Sequence, residues 1–160
     1  LEVVYGGGRV GLMGELADAT LALGGRVIGV IPEALRTKEL AYEGLTELRV
    51  VASMHERKAT MAELADAFVA LPGGYGTLEE FCEVLTWSQL GLHAKPCGLL
   101  DVAGYWRPLL EVFDTAVREG FVASKQRELV LLDADPEALL DALEAFRPRP
   151  VTRWMGLDQA

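Results

Sequence analysis

Along the chain, short runs rich in Val, Ile and Leu alternate with longer stretches in which apolar residues recur every three or four positions. The runs EVVY (2–5), RVIGVI (26–31), ELRVV (47–51), AFVAL (67–71), PCGLL (96–100) and ELVLL (128–132) lack a consistently polar alternate face, as strands covered on both sides do. Helical periodicity lies between them, over 11–23, 53–66, 77–90, 105–119 and 136–146. The last of these opens with Asp135 as N-cap and Pro136 at the first helical position. The alternation predicts an α/β fold, a mostly parallel sheet with helices on both faces. In such sheets ligands sit beyond the carboxyl ends of the strands, which directs attention to the loops after EVVY, RVIGVI, ELRVV and AFVAL.

A length of 160 residues fits one domain, here 1–146, with 32–45 as its one long connection and 147–160 as an irregular tail. A net charge of −9 argues against nucleic acid as a partner, because that surface needs clustered Lys and Arg. Any anion site has to be local. Cys82 and Cys97 sit in apolar surroundings and read as buried reduced thiols. No apolar run reaches the roughly 20 residues of a membrane span. The expectation is a cytoplasmic protein that engages neither membrane nor nucleic acid.

Three loops carry candidate chemistry. After the first strand, Gly6, Gly8 and Gly11 satisfy the G-x-G-x-x-G spacing between strand and helix, and Glu33 follows the second strand where a ribose-binding carboxylate would stand. Those glycines suit a phosphate loop and, equally, a tight turn beneath a helix. After the third strand, Ser53 and Glu56 form a capping box, while Arg57 and Lys58 fall within the apolar face of Met54, Met61, Leu64 and Ala65. Their stems either snorkel to the surface or turn the cations towards an anion, and their place in the first turns favours the anion. His55 points away.

The third loop is LPGGYGTLEE (71–80). Pro72 ends a strand, Gly73, Gly74 and Gly76 permit crowded backbone, and Thr77 is placed to cap the next helix and leave amides for an anion. Thr77-x-x-Glu80 then reads as a second capping box, with acids in a first turn worth ~0.3–1 kcal/mol against the helix dipole. Leu78, Phe81, Cys82 and Leu85 form one apolar stripe and Val84 with Trp87 a second, on the side of Glu80. A helix apolar on two sides predicts sandwiching or a subunit contact, hence a homodimer with Glu80 near a partly desolvated cleft.

Taken together and in this order, GGGRVGLMG, MHERKA and LPGGYGTLEE resemble the Lonely Guy family of cytokinin-activating phosphoribohydrolases, long labelled lysine-decarboxylase-like. The similarity runs from residue 1 to about residue 146 and takes in TWSQLGLHAKP. It implies a Rossmann-like fold, a homodimer with sites at or near the subunit interface, and hydrolysis of the N-glycosidic bond of cytokinin riboside 5′-monophosphates or AMP to the free base and ribose 5-phosphate. It also implies that Arg57 and Glu80 are catalytic. Substrate contacts are expected from Lys58, from Gly74, Tyr75, Gly76, Thr77, Leu78 and Glu79, from Thr86, and from Glu39 in the long connection. Gly7, Gly8, Met54 and Gly73 complete the candidate set. Family members begin with a further strand, a Ser-containing phosphate loop and a helix ahead of VVYGGG, so the sequence is expected to be truncated at its front.

Cleaving a ribosyl C–N bond passes through a cationic, oxocarbenium-like sugar while negative charge builds on the base. A glycine loop that grips the phosphate, with acids further along the helix facing the sugar, meets both demands. Glu80 is assigned to activating water and stabilising the cation, and Glu79 to ribose hydroxyls. Arg57 is to orient Glu80 or a reacting group, and Lys58 to make a second anion contact. Desolvation would raise the Glu80 pKa and a neighbouring Arg57 would lower it, and the sequence does not say which wins. No Schiff-base lysine with a ring-nitrogen partner, metal-ligand spacing or Ser-His signature is marked, so no cofactor is expected. Two rivals remain: a non-catalytic carrier of a phosphorylated cofactor, like the molybdenum-cofactor carriers, and a dinucleotide oxidoreductase that leaves PGGYGTLEE without a task.

Overall fold

The computed structural model describes residues 1–36 and 41–147. They form two compact units, Leu1–Ala65 and a second that begins at Asp66. The predicted strands and long helices are all present, in the α/β pattern of a Rossmann-like fold.

In the first unit, β1 (Glu2–Tyr5), β2 (Arg26–Pro32) and β3 (Glu47–Val51) form a parallel sheet in the order β1-β2-β3. Side chains alternate across it. Val3, Tyr5 and Val27 turn to α1 (Leu12–Ala22), meeting Ala17, Met13 and Leu21. Val4, Ile28 and Val30 turn the other way, to Met61 and Leu64 of α2 (Met54–Leu64). One helix therefore covers each face, which is why β2 is buried from Val27 to Pro32 and reads as an unbroken apolar run. Gly29 in the middle of β2 has a specific task. A Cβ there would lie 2.8 Å from the Gly7 Cα, so its absence lets the loop after β1 pass directly over the sheet.

The second unit repeats the scheme with β4 (Phe68–Ala70), β5 (Cys97–Leu100) and β6 (Val130–Asp133), parallel and in that order. On one face Ala70, Cys97 and Leu99 pack with Phe81 of α3 (Tyr75–Gln89) and with Trp106, which precedes α4 (Arg107–Arg118). Leu109, Leu110 and Phe113 of α4 close over them. On the other face Leu139 and Leu143 of α6 (Pro136–Ala145) lie against Gly98. A short helix, α5 (Ser124–Arg127), precedes β6 and escapes the periodicity because it is a single turn. Cys82 and Cys97 are both unpaired thiols, and burial pushes the Cys97 thiol up to about 12. Asp135 caps α6 as expected, accepting from the amides of Glu137 and Ala138 at 2.9 and 3.0 Å.

The turn after β5 is strained. Ala103 adopts φ 53°, left-handed for a residue with a Cβ and worth ~1–2 kcal/mol, and Gly104 follows at φ 77°. Asp101 supports the turn from within: it is buried, accepts from the Trp106 amide at 2.9 Å and from Arg107 Nε at 3.2 Å, and its own amide donates to Asp133 at 2.8 Å.

His93 offers a test of the second unit. The Lys95 amide donates to its Nδ1 at 3.1 Å, so the ring proton lies on Nε2, 2.8 Å from the Val84 carbonyl that accepts it. Burial, with a smaller contribution from Lys95, lowers its pKa below 6.5, which agrees with a neutral ring using both nitrogens. As pH falls from 6.5 towards the folded value, the unfolded chain binds the proton that the fold refuses, and stability drops. Urea unfolding at about pH 7.5 and about pH 5.5 should show that drop, and it should shrink in His93→Gln. An equal drop in both proteins rules the histidine out as its source.

Candidate functional site

The Leu1–Ala65 unit brings the first glycine loop and Arg57 together. Arg57 is the buried residue of α2, only 5% exposed, so its stem does not snorkel to the surface. Its Nη2 donates to the Gly6 carbonyl at 3.1 Å, and Nη1 lies 3.7 Å from Met54 Sδ. A Cβ on Gly6 would stand 1.8 Å from that same Nη2, so the guanidinium reaches the loop because residue 6 has no side chain. The capping box of α2 forms with one change: Ser53 Oγ accepts from the Glu56 amide at 3.1 Å, while the Glu56 carboxylate accepts from Ala52 at 2.7 Å, one residue earlier than expected. Lys58 is half-buried, while Met54 and His55 are exposed.

Two tyrosines complete the support of this loop. The Gly7 carbonyl accepts from the Tyr42 amide at 2.9 Å, and the Gly8 carbonyl from the Tyr5 hydroxyl at 3.0 Å. Burial, reinforced by Tyr42 and Asp18, pushes the Tyr5 hydroxyl up to about 12, so it remains a donor at neutral pH. The Tyr42 hydroxyl donates to Asp18, and the Arg9 guanidinium lies 4.8 Å from the centre of its ring. With the peptides trans, fixing three successive carbonyls turns the amides of Gly7, Gly8 and Arg9 away from those anchors. Backbone N–H groups turned clear of such anchors are what an anion requires of a glycine loop. No sequence signal marked Tyr5 or Tyr42, because neither a turn pattern nor a periodicity predicts which hydroxyl or amide meets a loop carbonyl.

The second unit holds Gly73 to Glu80 together with Thr86. Here α3 begins at Tyr75 with Gly74 as N-cap, so the expected cap at Thr77 is wrong. The Leu78 amide donates to the Gly74 carbonyl at 3.1 Å, which starts the helical ladder three residues before a Thr77 cap would. Thr77 lies inside the first turn, and its Oγ1 would stand 2.2 Å from a Cβ on Gly73. The Thr77-x-x-Glu80 capping box is absent for the same reason, and no acid lies in the first turn. Glu79 and Glu80 are in the second turn, where the dipole effect has faded. Capping and dipole, the structural explanations for these acids, are therefore both withdrawn.

Along α3, Glu80 is half-buried and Glu79 exposed, and Thr86, seven residues after Glu79, shares its face. The Thr86 hydroxyl donates to the Cys82 carbonyl at 2.7 Å. Tyr75, at 93%, is among the most exposed side chains, while Leu78 packs on the core. Val84 also packs against that core, so part of the second apolar stripe is buried within this unit, as sandwiching requires. Glu39 lies outside the described residues, as does 148–160 of the expected tail. Among the described residues no helix is long and apolar enough to cross a membrane.

The family model described as possible lysine decarboxylase matches residues 13–143. A cytokinin riboside 5′-monophosphate phosphoribohydrolase of Rhodococcoides fascians is 57% identical over 146 residues, 91% of this chain and 74% of that protein. A probable enzyme of the same name from Oryza sativa subsp. japonica is 52% identical over 149 residues, 93% of this chain and 60% of its own length. One from Arabidopsis thaliana is 51% identical over 148 residues, 92% of this chain and 69% of its own. The chain thus spans about 60% of the length of the rice relative. On the extent of the family match and the identity to these relatives, the chain belongs to the lysine-decarboxylase-like family that includes the Lonely Guy phosphoribohydrolases.

Proposed function

We propose that this protein hydrolyses the N-glycosidic bond of a nucleoside 5′-monophosphate, cytokinin riboside 5′-monophosphate or AMP, to the free base and ribose 5-phosphate. The observation that carries this reading is 57% identity to a bacterial relative whose name states the activity on the cytokinin nucleotide. The site chemistry supports it. Amides around Gly73 to Thr77 and of Gly7 and Gly8 suit the 5′-phosphate. Glu80, half-buried and without a capping role, activates water and stabilises the cationic ribose as the C–N bond breaks. Glu79 takes ribose hydroxyls, with Thr86 on the same helical face. Arg57 offsets negative charge, and Lys58 makes a further anion contact. A homodimer belongs to the same proposal.

Incubation with AMP and with its N6-isopentenylated analogue, followed by chromatography, should release adenine and the prenylated base together with ribose 5-phosphate. Glu80→Gln should lower turnover by about 100-fold or more while keeping the urea midpoint of the parent. Absence of base release from both nucleotides overturns the function, and full activity in Glu80→Gln overturns the assignment of that residue.

Gly6→Ala separates the charge of Arg57 from its position. The added methyl takes the place of Nη2, and the flexible tip of Arg57 can swing aside, so the variant should fold with a loss of about 1 kcal/mol from the broken hydrogen bond. Its turnover should fall towards that of Arg57→Ala. Parent-level turnover in Gly6→Ala means that the location of the guanidinium is irrelevant to catalysis.

A further inference from the structure

Tyr105 touches the glycine loop before α3, and none of the roles above uses it. Half-exposed at the end of the strained turn after β5, it donates its hydroxyl to the Gly73 carbonyl at 2.6 Å, across 32 positions of sequence. We propose that Tyr105 is a positioning residue for the phosphate of the substrate: by holding the Gly73 carbonyl it sets the direction in which the Gly74 amide is presented to that anion. The inference rests on the reading of Gly73 to Thr77 as the phosphate grip.

Peptide geometry makes the connection. In a trans unit the carbonyl of Gly73 and the amide of Gly74 point in opposite directions, so a carbonyl fixed towards Tyr105 turns the amide away from it. The following carbonyl, that of Gly74, is already fixed by the Leu78 amide at 3.1 Å. Packing holds the unit on one side only: a Cβ on Gly73 would stand 2.2 Å from Thr77 Oγ1, whereas a Cβ on Gly74 would meet nothing within 4 Å. Without side chains at 73 and 74 the backbone there has more torsional freedom than elsewhere, and the hydroxyl adds a constraint on it.

Tyr105 is itself held before it makes this bond. Its ring meets Trp106 edge-on at 5.0 Å between centroids and 86° between planes, and Trp106 is fully buried. The buried carboxylate of Asp101 fixes the Trp106 amide, and Ala103 at φ 53° shapes the turn that delivers the tyrosine. Left-handed backbone at a residue with a Cβ marks a conformation that its surroundings impose. A freely rotating surface tyrosine would lose side-chain entropy on reaching Gly73, whereas here packing has already restricted the ring.

Tyr105→Phe keeps the ring on Trp106 and removes only the hydroxyl. The protection from hydrogen exchange that saturating inorganic phosphate confers on the Gly74 amide should be weaker in the variant. With AMP as substrate, KM should rise about three- to tenfold, the span of one neutral hydrogen bond, with kcat nearly unchanged. Inhibition by inorganic phosphate should weaken by the same factor, while inhibition by free adenine stays as it was. Phosphate protection at Gly74 equal to that of the parent, or equal weakening of phosphate and adenine, overturns the proposal. Should the parent release no base from any nucleotide, the functional reading fails by itself, and the exchange and phosphate measurements still decide the role of Tyr105.

Discussion

A loop made of glycines brings backbone dipoles close to an anion, but it has no side chains with which to hold its own shape. The structure depends on how that deficit is met. In the first unit the carbonyls of Gly6, Gly7 and Gly8 are each taken by a donor from elsewhere in the chain: Arg57, Tyr42 and Tyr5. In the second, Tyr105 takes the Gly73 carbonyl and the helical ladder takes that of Gly74. The anchors come from strand, helix and turn residues whose positions are set by packing, so the two cores impose the loop geometry indirectly.

Much of the architecture was legible because burial on both faces leaves an unbroken apolar run, and β2 and β5 are such runs. Helix boundaries were legible where a side chain marks them, as Asp135 and Ser53 do. They were misread at α3, where the cap is a glycine and nothing distinguishes Gly74 from Gly73 or Gly76 before the hydrogen bonds are known. The two-sided apolar reading of α3 allowed sandwiching or a subunit contact, and Val84 on the core fits the first. Spacing tells which residues share a face but not how wide a face the core accepts, and the core accepts Val84.

Moving the start of α3 changes how its acids are understood. From the sequence, Glu79 and Glu80 had sufficient local reasons to exist, one as a first-turn charge and the other as half of a capping box. With the helix starting at Tyr75 both reasons disappear, so neither capping nor the helix dipole explains a half-buried carboxylate in the second turn. Arg57 moved in the opposite direction, acquiring a structural partner in Gly6 that spacing alone could not reveal. Of the two residues proposed as catalytic, one has lost its local explanation and the other has gained one.

That second change limits how such a protein can diverge. Arg57 serves as a charge and as the bolt of a backbone loop, and it fits only because position 6 lacks a Cβ. Lysine would preserve the charge but not the planar fork, and any larger residue at position 6 would evict the guanidinium. Drift at either site is therefore conditional on the other. The two positions, 51 residues apart, should be inherited as a couple whatever chemistry the loop serves.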